Sequence, residues 1–296
     1  VPSQHSPWLK RTVPDHAAGW TLEEFLRQEM GVSGRLIQRL TRIRGIRWNR
    51  EETFLGRKVR AGDEVAVKLK PRGAAAPRAV KERVPVLWKD SRALVVAKPA
   101  GMASHAEGPR SGTTLVDVLR AQLARPERNA GVHLVHRLDR PTSGALLVAR
   151  DALAHAQLDQ LLRDGAIERS YLARVVGVIA EDELVIDAPI GRDETHATRR
   201  KVDAAGQPAQ TRLRVLARDE QTTLVQLWPV TGRTHQLRVH LAHLGHPILG
   251  DRLYGGSEHA RLLLHAWKLS FALPWKDGER VEVSAEPPAE LVPPAP

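Results

Sequence analysis

The stretch HRLDRPTSGALLVAR, residues 136–150, decides how the rest of the chain is read. It opens on a charged tetrapeptide, His136-Arg137-Leu138-Asp139, and passes through a Pro-Thr-Ser-Gly turn at 141–144. It ends in an apolar run at 145–149. A short apolar run bounded by turn residues reads as a buried strand. Three similar runs, at 93–97, 172–178 and 223–228, alternate with helical patterns. From Val84 onward this texture predicts an α/β or α+β domain with a sheet core. The same stretch carries chemistry. An aspartate beside a turn often only hydrogen-bonds that turn, but His136, Arg137 and Arg140 crowd this one. Nearby cations keep a carboxylate ionised. That suits Asp139 to act as nucleophile, base or anionic anchor rather than as a general acid.

Three other segments stand out. VVAKPAGMASH, residues 95–105, ends a strand at Lys98 and Pro99, and Gly101 permits a tight turn; alone it reads as a structural loop. ERSYLARV, residues 168–175, opens a strand with Tyr171, one of only two tyrosines; a tyrosine there is by default a core residue. In TGRTHQLRVHLAHLGHPILGDRLYG, residues 231–255, Thr234 is expected to cap a helix with Leu237, Leu241 and Leu244 on its buried stripe. Gln236, His240 and His243 then share the opposite face, and Gly245 and Pro247 end the helix. Arg233, just before the cap, is placed to take a carboxylate or phosphate bidentately. Histidines 235, 240, 243 and 246 raise the question of a metal. No Asp, Glu or Cys completes a ligand set and no HExxH occurs, so no metal is expected.

Composition narrows the classes. The chain has 296 residues, a formal net charge of +11 and no cysteine. Without cysteine there is no disulfide scaffold, thiolate zinc site or iron–sulfur centre. No GxxxxGK[ST], GxGxxG or GxSxG motif is present, which argues against nucleotide-loop and serine-hydrolase chemistry. A glycosidase needs two opposed carboxylates, and only Asp139 sits in a motif of that character. No apolar run approaches the length of a membrane span, and VPSQHSPWLKR lacks the apolar stretch of a signal peptide. The expectation is a soluble, basic, cytoplasmic protein with a polyanionic partner, most often nucleic acid.

The charge is unevenly spread. Residues 1–80 hold 16 Lys/Arg against 8 Asp/Glu, while the remaining 216 hold 29 against 26. Thr21 with Glu24 reads as a capping box, followed by Leu22, Phe25, Leu26 and Met30 on one helical face, with Gly31 ending the helix. Ser33 opens a second helix with Leu36, Ile37, Leu40 and Ile43 buried. Arg35, Arg39 and Arg42 then share the opposite stripe, in a stretch from 35 to 50 that holds six arginines and no acid. Short strands are expected at 45–49 and 65–69. Residues 20–70 resemble the small α/β RNA-binding domain of ribosomal protein S-four, on Ser33, Leu36, Ile37, Leu40, Ile46 and the Gly62-Asp63 turn. We expect this domain over 1–70, a linker over 71–82, a second domain over 83–286 and a frayed or extended Pro-rich tail over 287–296.

The four blocks together resemble the RluA-type family of pseudouridine synthases, with the match running from about Val84 to Val283. HRLD-x-x-TSG and GRTHQLRVH-x-x-x-LGHPI-x-GD-x-x-Y carry it most specifically. The resemblance implies an α+β catalytic domain with a mixed, largely antiparallel sheet, flanking helices and an active-site cleft. It implies isomerisation of a uridine in RNA to its C-glycoside by base flipping, with no cofactor and no metal. Residue by residue, Asp139 matches the essential aspartate and Arg137 a residue that helps displace the target base. Tyr171 matches the aromatic packed on the flipped base, and Arg233 the arginine paired with the aspartate. Leu237 is placed, from its helical position, to cover the base from the other side. One block departs from the pattern: where Lys-x-Tyr is usual, this chain has Arg169-Ser170-Tyr171. The partner expected is RNA, with large-subunit ribosomal RNA favoured, bound by Arg137, Arg35, Arg39 and Arg42. Transfer RNA and a non-catalytic role in ribosome assembly are the alternatives. No membrane partner is expected, and a monomer is the default.

Overall fold

The computed structural model describes residues 8–68, 80–106, 112–124 and 131–293. In the first of these stretches, strands β1 (Trp8–Thr12), β2 (Ile46–Trp48), β3 (Glu51–Glu52) and β4 (Glu64–Lys68) form an antiparallel sheet in the order β1-β4-β2-β3. Helices α1 (Leu22–Gln28) and α2 (Gly34–Arg42) precede β2. The capping box at Thr21 and Glu24 forms in both directions, with Glu24 N donating to Thr21 Oγ1 at 3.2 Å and Thr21 N to Glu24 Oε2 at 2.7 Å. Ser33 caps α2, whose Leu36, Ile37 and Leu40 are buried. Ile43 departs from its expected place: α2 stops at Arg42, and the turn that follows leaves Ile43 42% exposed. Arg35, Arg39 and Arg42 are exposed, as the helical spacing requires. Most of the expected linker, residues 71–79, lies outside the described residues.

The second unit is built on one large sheet. Its strands are β5 (Val86–Lys89), β6 (Ala93–Lys98), β7 (His133–Leu134), β8 (Ser143–Ala149), β9 (Glu168–Val176) and β10 (Glu183–Asp187). They continue through β13 (Gln210–Arg218), β14 (Thr222–Pro229), β15 (Leu264–Ala272) and β16 (Arg280–Ser284). A small ribbon of β11 (Ile190–Arg192) and β12 (Arg200–Val202) stands apart. The order is β10-β13-β14-β9-β15-β8-β6-β5, with β16 on β15 and β7 on β8. Among the strands of the described residues, only the β8–β15 pair is parallel. The sheet is therefore mixed and largely antiparallel, and with helices α3 (Leu115–Leu123), α4 (Ala152–Arg163) and α5 (Gln236–His243) the fold is α+β.

Strand β8 shows why its sequence is a continuous apolar run: all seven residues are buried. Leu146 and Val148 pack into the core that includes α3, while Ala145, Leu147 and Ala149 pack with Leu158 of α4 and Phe271 of β15. Gly144 is needed where β8 meets β15. Its φ is +113°, and a Cβ there would collide with the Ala266 backbone.

Two connections tie the ends of the chain to this unit. Leu153 and Ala156 of α4 belong to the same core as Val13, Phe25 and Leu36 of the N-terminal sheet and helices, and Gln157 Nε2 donates to Met30 O at 3.3 Å. The Pro-rich tail is not simply frayed. Residues Ala289–Leu291 form a turn of 3₁₀ helix that buries Leu291 completely in the main core. Arg174 Nε donates to Glu290 O at 3.0 Å and fixes it. Leucine burial here outweighs the prolines' bias against packing.

Candidate active site

Asp139 sits in the loop between β7 and β8, where its carbonyl accepts the Thr142 amide at 3.1 Å. The backbone therefore makes the expected turn bond, and the carboxylate is left for other work. A cleft of about 530 Å³ opens over it, and Arg137, Tyr171, Arg169, Arg233 and Leu237 also line this space. Arg137 is exposed at its rim, Tyr171 on β9 and Leu237 on α5 are each 7% exposed, and the Asp139 side chain is 19% exposed. The fold thus brings together three blocks whose residues are up to 100 positions apart in sequence.

The arginine that meets the aspartate is Arg238, not Arg233. Arg238 Nη1 stands 3.4 Å from Asp139 Oδ2. Its Nε and Nη2 each donate at 2.7 Å to the two oxygens of Asp251, whose side chain is wholly buried. The Tyr254 ring lies 5.0 Å from the guanidinium. Burial works against the Arg238 charge, but the bonds and field of Asp251, with the field of Asp139, outweigh it and raise its pKa. Arg233 instead donates from Nε to Pro208 O at 2.9 Å, while still facing the cleft.

The physical reason lies in how α5 begins. Thr234 is exposed and caps nothing; the capping position falls on His235, in left-handed backbone with φ +58°. The Gln236 side chain ties down the loop before the helix, its Oε1 accepting from Arg233 N at 3.0 Å and Thr231 Oγ1 at 2.7 Å. The helix is then buried all round from Gln236 to Leu241, so the expected two-faced pattern fails. His240 is a core residue, bonded to Thr211 Oγ1 and Ala188 O at 2.9 and 3.0 Å. His235 bonds Tyr254 and His246 bonds Val176 O. Among the described residues no group of three or more metal-ligating side chains is assembled.

The segment read as a structural loop is bonded to the loop that carries Asp139. Lys98 is 1% exposed, and its ammonium donates to Pro99 O, Met102 O and Arg140 O at 3.0, 2.8 and 3.2 Å. Burial lowers its pKa to about 8 against the pull of Asp139. Gly101 N bonds Arg140 O at 2.9 Å, and Ser104 Oγ bonds Leu138 O at 2.6 Å. The loop carrying Asp139 is thus bolted from beneath on both sides. Across the cleft, burial raises the Tyr171 pKa, helped by Asp139 and opposed by Arg169, so its hydroxyl stays protonated. Two buried nitrogens among the cleft-lining residues have no partner, Arg169 Nε and His136 Nδ1. His136 Nε2 accepts from Leu147 N, so its proton is on that unpartnered Nδ1.

Reading the sequence missed Arg238, Asp251, Tyr254, His235 and Lys98. A signal for the first two was present: an arginine between Leu237 and Val239 in an apolar helix, with an acid thirteen residues on. A buried arginine needs such a partner.

Comparison with known proteins places this geometry. Residues 92–243 match the family model described as RNA pseudouridylate synthase. The chain is 36% identical over 293 residues to YhcT, an uncharacterized RNA pseudouridine synthase of Bacillus subtilis (strain 168), covering 98% of this chain and 97% of that one. It is 36% identical to the ribosomal large subunit pseudouridine synthase C of Salmonella typhimurium, over 90% of this chain and 89% of the relative. Among solved structures, human RNA pseudouridylate synthase domain containing 1 aligns with a TM-score of 0.60 at 30% identity, over 75% of this chain and 89% of that one.

Proposed function

The chain belongs to the RluA-type family of RNA pseudouridine synthases and is an isomerase acting on uridine in RNA; from that premise we propose that Asp139 carries the reaction on a uridine flipped into the cleft, in large-subunit ribosomal RNA. The observation that carries the assignment is a partly exposed carboxylate held by a buried arginine on the floor of a cleft. The reaction breaks N1–C1′, turns the uracil and forms C5–C1′. No net electron or phosphoryl transfer takes place. The chemistry asks for an anion beneath the sugar, a surface that receives the base, and walls that keep a freed uracil from leaving.

Asp139 supplies the anion. It must be ionised whether it adds to C1′ or takes the C2′ proton. Flipping a base costs a few kcal/mol of stacking and pairing. The Tyr171 ring and Leu237 recover part of that by packing on the base, and Arg137 at the rim fills the space it leaves. The unpartnered N–H groups of Arg169 and His136 suit the oxygen acceptors of a uracil. On α2, the exposed stripe of Arg35, Arg39 and Arg42 suits a phosphate backbone. We assign the N-terminal sheet and helices to RNA docking. The names of relatives such as the Salmonella enzyme support ribosomal RNA as the substrate.

The test is site-by-site mapping of pseudouridine in RNA from a deletion strain. Large-subunit sites should disappear, return with the wild-type gene and stay absent with Asp139→Asn. Restoration by Asp139→Asn would overturn the catalytic assignment. Loss confined to transfer RNA would overturn the choice of substrate.

A further inference from the structure

His235 combines three features that the capping of α5 does not explain. It is a non-glycine residue at φ +58°, a backbone state that L side chains rarely adopt, and its side chain caps nothing. Its Nδ1 lies 2.9 Å from the Tyr254 hydroxyl. Its Nε2 lies 3.9 Å from Asp139 Oδ2, the same oxygen that Arg238 Nη1 approaches at 3.4 Å.

The proton positions follow from the partners. The Tyr254 oxygen already accepts the Arg200 amide at 3.0 Å. Its own proton is therefore free to go to His235 Nδ1, which places the imidazole proton on Nε2. The opposite tautomer would point a lone pair at a carboxylate. The groups facing the ring are Asp139 from the loop before β8, Arg238 from α5, Asp251 and Tyr254 from the segment after α5, and Arg200 from β12. Burial, with Arg238 and Arg200, lowers the His235 pKa against the pull of Asp139 and Asp251. The ring is thus a neutral donor at physiological pH.

We propose that His235, with its tautomer set by Tyr254, is a positioning residue that helps Arg238 grip one oxygen of Asp139 and so presents the other oxygen to the sugar. Arg238 alone is a poor clamp. Two of its donors are spent on Asp251, and one nitrogen at 3.4 Å does not fix the rotation of a carboxylate. His235 Nε2, 3.9 Å from the same oxygen, stands outside hydrogen-bond reach here and supplies the second donor once the bound sugar draws the two groups together. Among the described residues nothing bonds the second oxygen, which is the arrangement a reacting carboxylate needs. The backbone strain at His235 is what sets the ring between Tyr254 and Asp139.

This inference rests on Asp139 being the reacting group. The experiment measures kcat and KM on a transcript carrying a uridine lost in the deletion strain. It compares the wild type with His235→Asn, Tyr254→Phe and Asp139→Asn. Asparagine tolerates left-handed backbone but is too short to place a donor where Nε2 stands. His235→Asn should lower kcat about tenfold, the scale of one charge-assisted hydrogen bond, with KM unchanged. Tyr254→Phe should do the same to a smaller extent, and it decides the matter if His235→Asn does not fold. Wild-type kcat in the folded variants would overturn the inference, as would a loss confined to KM. Activity in Asp139→Asn would instead overturn the reading beneath it.

Discussion

Replacing Asp251 by Asn separates the two carboxylates that share Arg238. Asp251 is fully buried and takes two 2.7 Å bonds, while Asp139 is 19% exposed and meets the same guanidinium at 3.4 Å. The amide keeps one acceptor but loses the charge and the second acceptor, leaving Arg238, 7% exposed, without its counterion. Breaking one side of a buried pair costs about 3–5 kcal/mol, and the retained bond puts the expected loss at about 3 kcal/mol. At about 2–4 °C per kcal/mol for a unit of this size, Tm should fall by about 6–12 °C. Asp139→Asn should cost no more than about 1 kcal/mol, because its pair is longer and reaches solvent. Calorimetry and urea titration give the stabilities, and pseudouridine formation gives the activities. The expected pattern is a weakened but partly active Asp251→Asn and a stable, inactive Asp139→Asn. A Tm for Asp251→Asn within about 2 °C of wild type would refute the division of labour. So would an equal or larger loss in Asp139→Asn.

Burial lowers His133 and His265 to about 4 and His136 to about 3, so all three fold uncharged. The unfolded chain takes up these protons first as pH falls below 6.5. Stability should therefore be full above that point and fall towards pH 4, by up to about 1.4 kcal/mol per pH unit per histidine. Urea titrations giving equal stability at pH 7 and 4.5 would contradict this. Arg39→Ala with Arg42→Ala should weaken RNA binding and flatten its salt dependence by about 0.7–0.9 per lost phosphate contact. An unchanged salt slope in filter binding or fluorescence anisotropy would remove the stripe from the interface. Leu291→Ala should cost about 2–5 kcal/mol, the range for a buried leucine. A melting curve identical to wild type would mean that the tail does not complete the core.

Where sequence patterns reflect one dominant force, they can be read directly. The Thr21–Glu24 box, the α2 face of Leu36, Ile37 and Leu40, and the two-sided burial of β8 all follow from periodicity and capping chemistry. Asp139, Tyr171, Arg137 and Leu237 meet in one cleft, as the blocks that carry them imply. The pairing of Asp139 was harder to read because it turns on where α5 starts. Ordinary capping rules favour Thr234, but the capping position falls on His235 in a rare backbone state, and the Gln236 side chain holds the loop before it. Amphipathic reasoning also fails for a helix buried on every side, since it has no polar face to locate. The Lys98 loop has the composition of a turn, and only long-range bonds to Arg140 reveal its purpose. Leu291 was hidden among prolines because composition averages over the one residue that packs.

Helix α4 runs between two places that the chemistry keeps apart. Its flank completes the core beneath α2, which displays the arginine stripe, while Leu162 and Arg163 at its far end line the cleft. Its twelve residues span about 18 Å of stiff rod. If RNA is gripped at one end and a uridine turned over at the other, the helix is a ruler. Such an enzyme selects a nucleotide by its distance from an anchoring fold as well as by its neighbours. Adding one turn to the rod would move the mark by about 5.4 Å.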